Sequence, residues 1–245
     1  MKRLRNILFL SPDSQVRDRT LHRIWVVLCL TGLGCCIGLL TLLMGATAYQ
    51  KLPGLALFRS YLHHPLLLFL NLLLPVVLIW LFYFLSGRAW MAYLGSASPC
   101  FLIALVNYYK IRLRGDPLLG ADLLLASEAG GMMEHYTFDI TWVIAVAAVC
   151  LLAGLLFSIF LIPGTMKRKK CRIIGTLTCM AVILGSYFTL YTSPATYSKT
   201  ANDELINPWS DVELFVSKGV LYPFLYSTRD MFPQPPAGYE EKSAK

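Results

Sequence analysis

The sequence has few charged residues for its length. Of its 245 residues, 15% are Asp, Glu, Lys or Arg and 56% are hydrophobic, whereas soluble domains carry about 25% charged residues. Five stretches contain no Asp, Glu, Lys, Arg or His at all, and each has the length of about 20 residues that crosses a hydrocarbon core. This distribution excludes a soluble domain, a disordered chain and a collagen-like fibre.

The five uncharged stretches predict an all-α integral membrane protein. A single apolar segment satisfies its backbone hydrogen bonds inside a bilayer only as a helix. Barrel strands would alternate polar and apolar residues over about 10 positions, and none of these stretches does so. The predicted spans cover residues 24–49, 65–85, 89–109, 140–162 and 173–191.

The basic residues predict how the spans are oriented. Of the 22 Lys and Arg residues, 12 lie in 1–23, at Arg88 or in 167–172, and an excess of Lys and Arg marks the cytoplasmic side. We therefore expect 1–23 to be a basic cytoplasmic tail and 192–245 to be extracellular. The net charge of +8 follows from this topology, so we expect no nucleic-acid partner.

Cysteine is missing from the predicted extracellular segments 50–64, 110–139 and 192–245. A disulfide framework is excluded there, and the lack of any CxxC spacing argues against a thiolate metal site; we predict no metal site in this chain. The span interiors also lack the ionisable residues that ion and proton pathways need, which disfavours a transporter. Their most polar residues, Asn71 and Asn107, are interpreted as interhelical hydrogen-bond partners.

Two glycines in the first span, Gly34 and Gly38, have the GxxxG spacing that allows close helix packing. The motif is compatible with packing inside one chain or with dimerisation. Because such matches are common in apolar helices, we favour packing inside one chain.

A basic segment follows the third span. Lys110, Arg112 and Arg114 alternate with apolar residues, at the expected level of the lipid headgroups. A guanidinium can bind a lipid phosphate through two hydrogen bonds, so Arg112 and Arg114 are candidate headgroup contacts. The alternative is that long basic side chains merely extend from a helix end to the interface.

The residues after this basic segment predict a short interfacial helix. Asp116 before Pro117 is a typical helix start. The Leu- and Ala-rich run that follows keeps Asp122 and Glu128 as polar positions before Gly130, as in a helix that lies in the membrane interface.

The segment 192–245 predicts a second short helix, over 208–218. Asn207 precedes Pro208 as a capping signal, and Gly219 follows as the terminator. An apolar stripe of Val212, Phe215 and Val216 is expected to dock on the membrane or on the spans. Residues 233–239 form a stiff linker. At 54 residues this segment is too small for a complete catalytic domain.

Residues 107–123 follow the pattern N-Y-x-K-x-x-x-R-G-x-P-L-x-x-x-D-L, and this pattern resembles that of the lipoteichoic acid synthase family of phosphoglycerol transferases. Five spans with a cytoplasmic N-terminus agree with the membrane anchor of that family. Lys218 with Gly219, and residues 236–239, also resemble the passage into its extracellular domain.

The resemblance implies a membrane anchor in the plasma membrane of a bacterium. It also implies an extracellular domain, similar to alkaline phosphatase and sulfatases, that takes glycerol phosphate from phosphatidylglycerol with a Thr nucleophile and a divalent metal, typically manganese. We expect that domain beyond Lys245 or on a separate chain, so no catalytic residue and no cofactor is assigned here. The contacts with a lipid headgroup or with another domain are assigned to Lys110, Arg112, Arg114, Asp116 and Asp122. The alternative is a stand-alone membrane scaffold or regulatory protein without enzymatic activity.

Overall fold

The computed structural model describes residues 15–125, 139–162, 166, 168–200, 206–207 and 209–231, with side chains from residue 21 onward. The basic residues before Gln15, the end of the predicted interfacial helix at 126–128 and the linker 233–239 lie outside the described residues. Within the described residues the fold contains helices and no β-strand.

The all-α prediction is confirmed, and five helices are long and apolar enough to cross a membrane. They are α1 (Gln15–Ala48), α3 (Pro65–Ser86), α4 (Ala89–Arg114), α5 (Trp142–Phe160) and α6 (Lys169–Ser186), which a π-helical turn extends over Tyr187–Tyr191. The shorter helices are α2 (Gly54–His63), α7 (Pro194–Lys199), α8 (Asp211–Ser217) and α9 (Leu221–Ser227), with 3-10 helices at Gly120–Leu123 and Thr228–Asp230.

Helices α1, α3 and α4 pack against one another and form the centre of the bundle. Helix α5 packs on α4 and α1, and α6 packs on α3. Half of the apolar window of α1 is buried, against 6% of that of α6, so the flanking helices leave most of their apolar surface for lipid. We call the end where α1 begins the N-terminal face, and the end where α1, α4 and α6 finish the C-terminal face.

The GxxxG motif lies where α1 crosses α3. A Cβ atom added to Gly34 would lie 2.8 Å from the Cα atom of Val76, and one added to Gly38 would lie 2.5 Å from a methyl group of Leu72. A side chain at Gly34 would collide with the backbone of α3, and one at Gly38 would require Leu72 to move. The motif therefore lets two helices of the same chain approach closely, as the favoured interpretation predicted.

Only Gly87 and Arg88 separate α3 from α4 on the N-terminal face. Gly87 has a φ of +71°, a conformation that favours glycine. The guanidinium of Arg172 donates through Nε to the carbonyl of Phe84 at 2.9 Å and through Nη2 to that of Leu85. A basic residue of α6 thus satisfies the carbonyl end of α3.

Residues 206–207 and 209–231, which we call the C-terminal segment, fold back onto the C-terminal face and enter the bundle. Its apolar residues Val216, Val220, Leu221 and Tyr222 are all at most 1% exposed. The apolar stripe was expected to dock on the membrane or on the spans. It contacts the spans, because Val216 belongs to the same buried cluster as residues of α1 and α4.

Helix α8 begins later than the sequence predicts. It starts at Asp211, and the Ser210 hydroxyl caps it by accepting from the N–H of Glu213 at 3.4 Å. Asn207 instead accepts from the N–H of Trp209 at 3.1 Å, so its side chain closes the preceding turn. The predicted terminator is present, since Gly219 has a φ of +94°.

Candidate functional site

The three basic residues of the candidate site lie on α4 itself, because α4 continues past Tyr109 to Arg114. Gly115, with a φ of +78°, ends the helix, and its N–H donates to the carbonyl of Ile111 at 3.0 Å. The side chains of Lys110 and Arg114 are therefore fixed relative to the bundle by a helical backbone.

The predicted helix start at Asp116 is wrong. Residues 116–119 are not helical, and the 3-10 helix begins at Gly120. Lys110 Nζ takes the carbonyl of Pro117 at 2.9 Å, which would accept from residue 121 in an α-helix that began here, and Asn107 Oδ1 accepts from the N–H of Leu118 at 2.9 Å. The Asp122 carboxylate accepts from the N–H of Leu119 at 2.6 Å, so the capping contact lies at Leu119 and the helical turn begins at Gly120.

Lys110 and Asp122 form an ion pair that closes this loop. Lys110 Nζ lies 2.6 Å from Asp122 Oδ2 and donates to the carbonyl of Pro117 at 2.9 Å. The two side chains are 15% and 30% exposed, and partial burial with short distances makes such charge-assisted bonds strong. These two candidates hold the loop on α4.

Arg112 links α4 to the start of α5. Its Nη1 donates to the Tyr108 hydroxyl at 2.9 Å, and that hydroxyl lies 2.8 Å from Thr141 Oγ1. Tyr108 is 1% exposed, whereas Arg112 is half-buried and Arg114 and Asp116 are exposed. Of the five candidates, the structure thus joins two in a pair and leaves three nearer the surface.

The C-terminal segment completes the site through a residue that sequence reasoning missed. The N–H of Gly120 donates to Ser227 Oγ at 2.8 Å. A Cβ atom on Gly120 would lie 2.6 Å from the Cα atom of Thr228, so glycine allows this close approach. Ser227 and Thr141 carry no sequence signal, because an isolated hydroxyl residue belongs to no recognisable pattern.

Lys218, which precedes the terminator Gly219, is 1% exposed. Its Nζ donates to the carbonyl of Tyr197 at 2.8 Å and to Thr200 Oγ1 at 3.3 Å, and it lies 4.4 Å from the centre of the Tyr197 ring. Burial raises the pKa of the neighbouring Tyr222 to about 12, so that hydroxyl stays protonated at neutral pH. The lysine anchors the C-terminal segment inside the C-terminal face.

In the parts of the chain that the structure describes, no three His, Cys, Asp or Glu side chains gather closely enough to hold a metal ion.

We expect Asp122→Asn to destabilise the loop by about 1.5–3 kcal/mol, since a charge-assisted hydrogen bond has roughly that value. A double-mutant cycle with Lys110→Met, followed by thermal unfolding in detergent, measures the coupling. Asp230→Asn is the control, because Asp230 pairs with Arg229 at 3.1 Å on the surface and exposed pairs contribute about 0–1 kcal/mol. Equal effects of the two substitutions would contradict a structural role for Lys110 and Asp122.

No protein-family model, curated protein or solved structure matches the chain. The resemblance to lipoteichoic acid synthases therefore rests on the residues of the sequence, chiefly those of 107–123.

Proposed function

We propose that this chain is the membrane domain of a phosphoglycerol transferase-like enzyme and presents phosphatidylglycerol at the outer leaflet of a bacterial plasma membrane. The catalytic chemistry, with its divalent metal, belongs in this proposal to an extracellular sulfatase-like unit. That unit acts either in cis or as a separate chain. The membrane domain anchors that unit and positions the lipid.

The observation that carries the proposal is how the residues of the 107–123 pattern divide their roles. Asn107, Lys110 and Asp122 all bond inward and hold the loop on α4. Arg112 and Arg114 extend from the same rigid helix toward the surface. A guanidinium has five N–H donors, so Arg112 can bind Tyr108 and still offer donors to a phosphate.

The charge distribution supports the proposed orientation. Arg168, Lys169, Lys170 and Arg172 cluster at the start of α6 on the N-terminal face, where Arg88 also lies. Because Lys and Arg accumulate in cytoplasmic loops, this face belongs inside the cell. The C-terminal face, with Arg112 and Arg114, then meets the outer leaflet.

The test is a competition between headgroups on the full chain. The purified protein is exposed to equal amounts of phosphatidylglycerol and phosphatidylethanolamine with matched acyl chains, and the retained lipids are counted by native mass spectrometry. We expect phosphatidylglycerol to be preferred. The double variant Arg112→Gln with Arg114→Gln should lower that preference about tenfold, the effect of losing one or two charged hydrogen bonds.

Arg59→Gln is the matched control, because Arg59 is an exposed arginine of α2 near the same face. It should leave the headgroup preference unchanged. Equal retention of both lipids by the unaltered chain, or an equal loss in the control, would contradict the proposal. A scaffold or regulatory protein has no reason to prefer one headgroup, so equal retention would favour that alternative.

A further inference from the structure

A long apolar groove runs along the membrane-spanning part of the bundle. It has a volume of about 660 Å³ and lies between α1, α4 and α5, with one residue of α2 at its end. Its walls carry apolar side chains, glycines, thiols and one phenol, without any carboxylate or cationic residue. Its lining residues include Gly32, Cys36, Leu43, Phe58, Tyr93 and Gly154.

The groove has the dimensions of a single hydrocarbon chain. Its lining on α1 extends from Cys29 to Leu43, which at 1.5 Å per residue is about 21 Å. One leaflet of a hydrocarbon core about 30 Å thick is about 15 Å deep, so a whole acyl chain fits. A helix of that length and 10–12 Å diameter occupies on the order of 2,000 Å³, about three times the volume of the groove.

The upper end of the groove adjoins the candidate site. Leu43 and Phe58 line that end, and both pack against the buried cluster that contains Tyr108. The Tyr108 hydroxyl in turn accepts a hydrogen bond from Arg112. The groove and the half-buried guanidinium of Arg112 therefore lie against the same buried cluster, and an apolar site beside a cationic one is the order of groups that a phospholipid presents along its length.

We propose that this groove binds one acyl chain of a membrane phospholipid, with the phosphate of the same lipid toward Arg112. This inference deepens the proposed function and rests on it only for the choice of headgroup. Binding of the acyl chain depends on the groove alone, and a separate experiment tests it. Because apolar surface in a bilayer is covered by lipid in any case, this site differs from ordinary lipid-facing surface in that three helices contact the acyl chain and the position of the phosphate is fixed.

Gly32 provides a way to fill the groove without disturbing the fold. A Cβ atom added there meets no other atom within 4 Å, so Gly32→Leu places its side chain in open space between the walls. By contrast, a Cβ atom on Gly154 would lie 2.4 Å from the Tyr93 hydroxyl oxygen. Gly185 of α6 is equally open and does not line the groove, so Gly185→Leu is the matched control.

The experiment uses the full chain in phosphatidylcholine vesicles that contain a trace of phosphatidylcholine with a diazirine on one acyl chain. Phosphatidylcholine is chosen so that the result does not depend on a preference for phosphatidylglycerol. After irradiation, labelled peptides are identified by mass spectrometry. We expect label to concentrate in residues 29–43 and 150–157. Gly32→Leu should lower the labelling of these residues several-fold, because the leucine side chain occupies space that the acyl chain would fill, and Gly185→Leu should leave it unchanged.

Three results would overturn the inference. The first is label spread evenly over the groove and the exposed residues of α6 such as Ile173 and Leu177. The second is label in the groove that Gly32→Leu does not reduce. The third is a Gly32→Leu variant that turns a dimer into a monomer, which would make a second copy of the chain the occupant. Loss of headgroup preference with normal groove labelling would instead contradict only the proposed function.

Discussion

Replacing Asn71 by leucine is expected to release the C-terminal segment from the bundle. Asn71 is completely buried in α3. Its side-chain N–H groups donate to the carbonyls of Lys218 at 2.9 Å and Leu67 at 3.0 Å, and its oxygen accepts from the N–H of Tyr222 at 3.3 Å. Leucine has the same branched shape and number of heavy atoms and leaves two backbone groups of the segment unsatisfied, each at a cost of about 1–3 kcal/mol.

Trypsin measures this release directly. Lys218 is 1% exposed in the folded chain, so cleavage after Lys218 requires the segment to leave the bundle. We expect Asn71→Leu to make this bond cleavable under conditions in which the unaltered protein is cut only at exposed sites. Asn207→Ala is the control, since Asn207 is an exposed asparagine of the same segment. If the bond after Lys218 resists trypsin equally well in Asn71→Leu and in the unaltered protein, Asn71 does not hold the C-terminal segment in the bundle.

Release of the segment has a consequence for the candidate site. Ser227 holds Gly120, and Leu118 packs in one buried cluster with Phe215 and Phe224. The loop that follows Arg114 is thus bonded to α4 on one side and to the C-terminal segment on the other. Release of the segment would therefore free the loop from Ser227, Phe215 and Phe224, while Asn107 still holds it on α4.

The spans were predictable because length and hydropathy are local properties of the sequence. An uncharged run of about 20 residues has few alternatives to a helix in a bilayer, and each of the five runs corresponds to a helix. The GxxxG spacing was also informative, since Gly34 and Gly38 lie on one helix face. The orientation of the bundle, the headgroup and the catalytic partner stay predictions.

The folding of the loop and of the C-terminal segment depends on partners that are distant in sequence. Asn107 has the same local appearance whether it bonds another span or, as found, the N–H of Leu118. Asn71 likewise bonds a segment 147 residues away. Asp116 with Pro117 is a good helix start by itself, and it fails because Lys110 takes the carbonyl of Pro117 and Asn107 holds the N–H of Leu118 against α4.

Gly34→Leu is expected to destabilise the bundle strongly and Gly32→Leu is not, although only one residue separates the two positions on α1. At Gly34 a Cβ atom would lie 2.8 Å from the Cα atom of Val76 and 3.0 Å from its Cγ2. A backbone atom cannot move aside as a flexible side chain can, so α1 and α3 must separate. Overpacking of this kind costs about 1–3 kcal/mol or more.

Thermal unfolding in detergent and the monodisperse fraction after gel filtration compare the two variants. Gly34→Leu should lower both, whereas Gly32→Leu, whose Cβ atom has no neighbour within 4 Å, should match the unaltered chain. Cross-linking of the same samples shows whether each variant forms a dimer. A Gly34→Leu variant that unfolds normally but no longer forms a dimer would mean that the GxxxG motif joins two chains. Gly32→Leu also fills the groove. If this variant is as stable as the unaltered chain, its loss of acyl-chain labelling reports on lipid binding and not on folding.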